Sequence, residues 1–68
     1  MKEIVTLKFL DADSGEDAVV IIRADEGRVA LALSLVLNGD VEVVLPTRDC
    51  ESLVNGLQQG ILLATRRR

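Results

Sequence analysis

The stretch RVALALSLVLNGDVEVVLP, from Arg28 to Pro46, decides the fold of this chain. Between Val29 and Leu37, large side chains alternate with small ones, which is typical of a β-strand. A helix over the same residues would be apolar on every side except at Ser34 and would have to be buried all round. A chain of 68 residues is too short to surround such a helix. We therefore predict a strand from Val29 to Leu37.

The alternative is a ββαβα chain in which Glu26–Asn38 is helical. Alanine and leucine are good helix formers, and Asn38-Gly39 could end a helix as well as turn a hairpin. Within the strand reading, a two-residue Asn38-Gly39 turn would set leucines opposite carboxylates, whereas a three-residue loop makes one face wholly apolar. The sequence therefore predicts a loop with an odd number of residues, Asn38–Asp40. The expected cross-strand pairs are Leu37–Val41, Leu35–Val43 and Leu33–Leu45.

Two further strands are predicted upstream of this stretch. EIVTLKFL, residues 3–10, alternates between apolar and mixed positions, and AVVIIR, residues 18–23, is β-branched and apolar on both sides. DADSGED, residues 11–17, has the composition of a loop. DEG, residues 25–27, has the form of a three-residue hairpin loop that ends in glycine.

A helix is predicted after Pro46. Thr47 can cap it, and Asp49 and Glu51 complement the dipole of its first turn. Apolar residues then recur at helical spacing and form one stripe. The members of this stripe are Cys50, Leu53, Val54, Leu57, Ile61 and Ala64. The predicted fold is one small α+β domain, residues 1–68, in which a four-stranded antiparallel meander packs on one C-terminal helix, in the order ββββα.

The loop lengths assign side chains to the two faces of the sheet. One face should carry Val5, Leu7, Phe9, Val19, Ile21, Leu31, Leu33, Leu35, Val43 and Leu45. The helix stripe should cover that face. The other face is too apolar for a solvated surface, and a large exposed apolar patch marks an interaction site. The predicted self-association face consists of Val20, Ile22, Ala30, Ala32, Ser34 and Val36.

Composition argues against several classes of function. The net charge of −3 does not favour a nucleic-acid binder, and histidine is absent, so a zinc site and a general base for a nucleophilic Cys50 are both missing. We expect no enzyme activity, no cofactor and no metal. The start of the chain has no export signal, no apolar run reaches the length of a bilayer span, and the cysteine is unpaired. These features predict a cytoplasmic protein without a membrane segment.

Three local features are candidates for a site. The acidic loop Asp11–Asp17 contains carboxylates that could hold a cation, but its twelfth position is Ile22 where a calcium loop needs glutamate. The basic end, Arg66, Arg67 and Arg68, is a possible contact for phosphate or for an acidic partner. Gly56 and Gly60 stand four residues apart within the predicted helix and would let another backbone approach.

The function predicted from these features is that of a small non-enzymatic protein-interaction module, a homodimer. Its expected partner is a second copy of itself, or another protein. The alternative is a dimer that binds single-stranded nucleic acid through the sheet face and the C-terminal arginines. The single aromatic residue, Phe9, argues against that alternative, because single-strand binding normally relies on aromatic stacking.

Overall fold

The computed structural model describes residues 1–66 and has the element order ββββα. The four strands form one open antiparallel sheet in which each strand pairs with the next one along the chain, which confirms the predicted α+β meander. The stretch from Arg28 to Pro46 contains two strands and no helix, so the ββαβα alternative is wrong. The elements are β1 (Lys2–Leu10), β2 (Asp17–Asp25), β3 (Arg28–Leu35), β4 (Gly39–Pro46) and α1 (Thr47–Ala64).

A two-residue turn joins β2 to β3. Asp25 pairs with Arg28, so the turn consists of Glu26 and Gly27, and Gly27 has φ of 76°, in the region that favours glycine. The predicted three-residue loop at Asp25–Gly27 is therefore wrong by one residue. Because side chains alternate along a strand, a shift of one residue moves all of β2 to the opposite face.

The loop between β3 and β4 has three residues, as predicted, but it lies two residues earlier. Val36–Asn38 forms this loop, β3 ends at Leu35, and β4 begins at Gly39. A shift of two residues changes the partners and keeps the face, so the apolar residues of β4 still lie beside the leucines of β3. The observed pairs are Leu33–Val41, Leu31–Val43 and Val29–Leu45, instead of the predicted ones.

The registers separate the sheet into two faces of different chemistry. We call the first the leucine face. Apart from Lys2, which pairs with Ala24 before the irregularity in β1, its side chains are apolar: Val5, Leu7, Phe9, Ala18, Val20, Ile22, Ala24, Val29, Leu31, Leu33, Leu35, Val41, Val43 and Leu45. We call the second the polar face, and it mixes charged, hydroxyl and apolar side chains: Glu3, Thr6, Lys8, Leu10, Asp17, Val19, Ile21, Arg23, Asp25, Arg28, Ala30, Ala32, Ser34, Asp40, Glu42 and Val44. Val19 and Ile21 thus lie opposite to their predicted face.

The helix follows β4 with no residue between them. Pro46, the last residue of β4, occupies the cap position with extended backbone, and no side chain caps the helix. Thr47 is already the first helical residue, so its predicted capping role is wrong. The helix continues through Gly56 and Gly60, and Thr65 closes it by donating its hydroxyl to the carbonyl oxygen of Ile61.

The helix does not lie on the leucine face of its own chain. It contacts β3 and β4 only near its start, and all of its residues are exposed except the half-buried Cys50. The prediction that the helix stripe covers the sheet is therefore wrong for a single chain. The helix starts at Thr47, directly after the last residue of β4, so no linker is present that would fold it back over the sheet. Among residues 1–66, the buried apolar side chains are those of Ala18 and Ala30.

We predict opposite effects for two glycine-to-alanine substitutions. At Gly27 the positive φ strains any L side chain, so Gly27→Ala should lower the free energy of unfolding by about 1–2 kcal/mol. At Gly56 the backbone is helical and the space for a Cβ atom is open, so Gly56→Ala should raise it by about 1 kcal/mol. Denaturant unfolding at one protein concentration measures both, and a stabilising Gly27→Ala would contradict the positive φ of Gly27.

Candidate functional site

The leucine face is the candidate site, because large apolar side chains on it remain open to solvent. Leu33 is 45% exposed, Leu7 is 55% exposed and Val41 is 57% exposed, although all three stand among apolar neighbours. Soluble monomers rarely leave a continuous apolar surface of this kind. Within residues 1–66, no other part of the chain covers these side chains, so this face is the candidate contact surface.

The extent of the exposed surface supports the same conclusion. The chain exposes 5778 Å², whereas a compact monomer of its 7.4 kDa mass would expose about 4,200 Å². Its radius of gyration is 13.7 Å, against about 11 Å for a compact domain of 68 residues. The molecule measures 42 × 29 × 16 Å. A single copy is thus a thin, extended object with little interior.

The apolar stripe of α1 continues the leucine face. Val29, at the end of the leucine face, lines one shallow depression together with Cys50 and Val54 from the first turns of the helix. Further along the helix, Leu57 is 60% exposed and Ile61 is 63% exposed. Thr47, Glu51 and Asn55 also line the same depression. The sheet face and the helix stripe therefore form one bent, mainly apolar surface with its corner at Val29.

The structure does not bring the six predicted self-association residues together. Ala30, Ala32 and Ser34 lie on the polar face, whereas Val20 and Ile22 pair with Leu33 and Leu31 on the leucine face. Val36 lies in the loop after β3 and is 69% exposed. The prediction that they share one face is wrong, because it used a β2–β3 loop one residue too long. The correct grouping follows from the two-residue turn Glu26-Gly27, which the pairing of Asp25 with Arg28 shows.

The small side chains of β3 have an explanation within the chain. Arg23 on β2 reaches across β3 to Glu42 on β4, and the guanidinium and carboxylate are 2.9 Å apart. Ala30 and Ala32 lie in the strand between them and leave room for this crossing. The alanines therefore accommodate an ion pair on the polar face. Next to them, the Ser34 hydroxyl donates to the Asp40 carboxylate.

The acidic loop is held by its own first residue. Asp11 accepts hydrogen bonds from the Ser14 backbone N–H at 2.7 Å and from the Ser14 hydroxyl at 2.8 Å. These bonds favour the charged carboxylate and lower the pKa of Asp11 below its ordinary value. In residues 1–66, no three side chains of the acidic, cysteine or histidine type stand close enough to share a metal ion. The carboxylate of Asp11 thus serves the turn.

Glu16 connects two loops at the same end of the sheet. Its carboxylate accepts hydrogen bonds from the Leu37 backbone N–H at 3.2 Å and from the Asn38 side-chain amide at 2.8 Å. The backbone of Val36 also donates to the carbonyl oxygen of Asp17. The β1–β2 loop thereby fixes the β3–β4 loop, and another carboxylate of the acidic segment has a structural partner.

The remaining sequence candidates lie outside any cluster. Cys50 is free and half-buried at the junction of sheet and helix. Arg66 is exposed after the helix, while Arg67 and Arg68 lie outside the described residues. At Gly56 and Gly60, an added Cβ atom would meet no neighbour within 4 Å. None of the helices described within residues 1–66 is long and apolar enough to cross a membrane.

Comparison of the chain with protein-family models, with curated proteins and with solved structures found no match in any of the three. Any functional inference therefore rests on the chain's own chemistry.

We predict that Ser14 sets part of the acidity of Asp11. Ser14→Ala removes the hydroxyl donor and keeps the backbone donor, so the pKa of Asp11 should rise towards its ordinary value and remain below it. Since the folded-state pKa is lowered, the turn stabilises the fold above the unfolded-state pKa and loses this effect as the pH falls through the lowered value. A carboxyl-carbon NMR titration measures the change. Ser52→Ala is the matched control, because Ser52 bonds a helix carbonyl oxygen. An unchanged Asp11 titration in Ser14→Ala would contradict the assignment.

Proposed function

We propose that this chain is a non-enzymatic interaction module that acts as a homodimer, and that the leucine face is its contact surface. The observation that carries the proposal concerns residues 1–66, of which only Ala18 and Ala30 are buried. Large apolar side chains of the leucine face such as Leu33 stay exposed, and others such as Leu31 are only half-buried. A chain with so little interior gains little hydrophobic stabilisation from folding by itself.

The excess exposed area of one chain matches the area that a homodimer would bury. Each chain exposes about 1,600 Å² more than a compact monomer of its mass. Two chains that bury this excess together would form an interface of about 3,200 Å², within the 2,000–5,000 Å² of obligate homodimers. An interface of that class is rich in apolar side chains, as the leucine face is.

The polar face suits the outside of such a dimer. Its main charges already have partners in the same chain, because Arg23 pairs with Glu42 and the Ser34 hydroxyl donates to Asp40. Covering this face would remove these groups from water without new partners, which costs free energy. The leucine face carries no such cost.

The nucleic-acid alternative gains no support from the described residues. Arg23 and Arg28 are each paired with a carboxylate of the chain, and Phe9 lies on the leucine face and so offers no stacking platform on the polar face. Salt-dependent retention on single-stranded DNA remains the test of this alternative. Firm retention that is lost on adding salt would favour it over a module that binds protein.

We predict that the wild-type chain has twice the 7.4 kDa mass of one copy by light scattering at micromolar concentration. Its melting temperature should rise with protein concentration, because association stabilises the folded state by mass action. A monomer whose melting temperature is independent of concentration would overturn the proposal.

We predict that Leu33→Arg and Ala32→Arg differ, although the two residues are neighbours in β3. Leu33→Arg places an unpaired charge on the leucine face and should abolish the dimer, leaving a monomer or an unfolded chain. Ala32→Arg places the same charge on the polar face beside Glu42 and should keep the dimer. Light scattering and circular dichroism distinguish the outcomes. Loss of the dimer in Ala32→Arg with retention in Leu33→Arg would place the contact on the opposite face.

A further inference from the structure

We infer that the leucine face of each copy is covered by helix α1 of the second copy, so that the two chains exchange their helices reciprocally. This inference rests on the proposed homodimer and specifies which part of the partner makes the contact. Its basis is the bent apolar surface of sheet face and helix stripe, both halves of which are uncovered in one chain.

The junction between β4 and α1 prevents the helix from covering its own sheet. Pro46 ends the strand and occupies the helix cap position, and Thr47 starts the helix, so no residue is free to reverse the chain. Proline also restricts the backbone torsion at this position. The helix contacts only β3 and β4 of its own sheet, at its first turns. The helix stripe is thus directed towards another molecule.

The two halves of the surface match in length and chemistry. The 18 residues of α1 span about 27 Å, and the 8 residues of β3 span about 26 Å. The helix stripe carries Leu53, Leu57 and Ile61 without an intervening charge, and in the described residues the leucine face opposes them with apolar side chains, apart from Lys2 beside Ala24. A helix of the second copy therefore fits along the sheet with its apolar stripe against the leucine face.

Reciprocal exchange closes the assembly at two copies. Under a two-fold axis the same contact is made twice, since the helix of each chain meets the sheet of the other. One type of contact then covers both the helix stripe and the leucine face. A direct stack of two leucine faces would cover the sheets and leave the exposed Leu57 and Ile61 to find a separate partner. Exchange is favoured for this reason.

Cysteine cross-linking tests the arrangement, because the chain has a single native cysteine. In a Cys50→Ser background, Leu33→Cys chains are refolded with chains that carry Leu53→Cys, Leu57→Cys or Ile61→Cys and an added mass tag, and the mixture is oxidised. The expected product is a disulfide between an untagged sheet variant and a tagged helix variant, at one or more of the three positions. Ala32→Cys replaces Leu33→Cys in the matched control and should give no such product, because it lies on the polar face.

The other outcomes overturn the inference in distinguishable ways. Disulfides between two Leu33→Cys chains, without the mixed product, would show stacked leucine faces and leave the homodimer intact. A chain carrying both Leu33→Cys and Leu57→Cys that closes a disulfide within itself would show that the helix folds back. A dimer by light scattering without any of these cross-links would also exclude exchange. A wild-type monomer by light scattering would overturn the homodimer together with it.

Discussion

The turn at Glu26 and Gly27 joins β2 to β3 with two residues, and its length sets which side chains of β2 stand beside the leucines of β3. With this turn, Val20 and Ile22 join Leu31 and Leu33, and Arg23 falls on the opposite side of the sheet. The separation of an apolar face from a charged one depends on it. One residue more would mix the two sets, because side chains alternate along every strand.

The two faces satisfy their side chains in different ways. On the polar face, Arg23 finds Glu42 and Ser34 finds Asp40 within the same chain. On the leucine face, the large side chains find one another only along the sheet, and their outer surfaces stay in water. This difference decides which face gains from association. Hydrophobic stabilisation grows with the apolar area removed from water, and that area lies on the leucine face and the helix stripe.

The sequence predicts the order of the elements well, because each element has a strong local pattern. Large and small residues alternate over Val29–Leu35, and the stripe of α1 recurs at helical spacing. The assignment of side chains to the two faces is harder to predict from the sequence, because it depends on the lengths of the turns. A glycine with positive φ ends either a two-residue or a three-residue loop, so Asp25-Glu26-Gly27 does not distinguish the two from composition. The turn length thus explains why Val20 and Ile22 lie on the face opposite to Ala30 and Ala32, and the earlier end of β3 explains why Val36 lies in a loop.

The sequence also did not predict that the helix lies away from the leucine face of its own chain, and the reason is different. An amphipathic stripe indicates that a helix needs an apolar surface, but the stripe does not tell which molecule supplies it. In this chain, Pro46 and Thr47 leave no linker between strand and helix, and the helix residues described by the structure do not cover the leucine face. Within residues 1–66 no large side chain is buried. A chain of this size therefore gains little hydrophobic stabilisation unless further apolar area is removed from water.

Folding and association are therefore one process in the proposed dimer. If the sheet face of each chain is buried only by its partner, separation of the two copies exposes both the leucine face and the helix stripe at once. A separated chain would keep its strand pairing and its polar-face ion pair, yet it would lose most of the apolar contacts that offset the conformational entropy of ordering the backbone. The free energy of unfolding of such a separated chain would be low. The polar face, which is complete in each copy, then forms the outer surface of the assembly, and any further partner would meet that surface first.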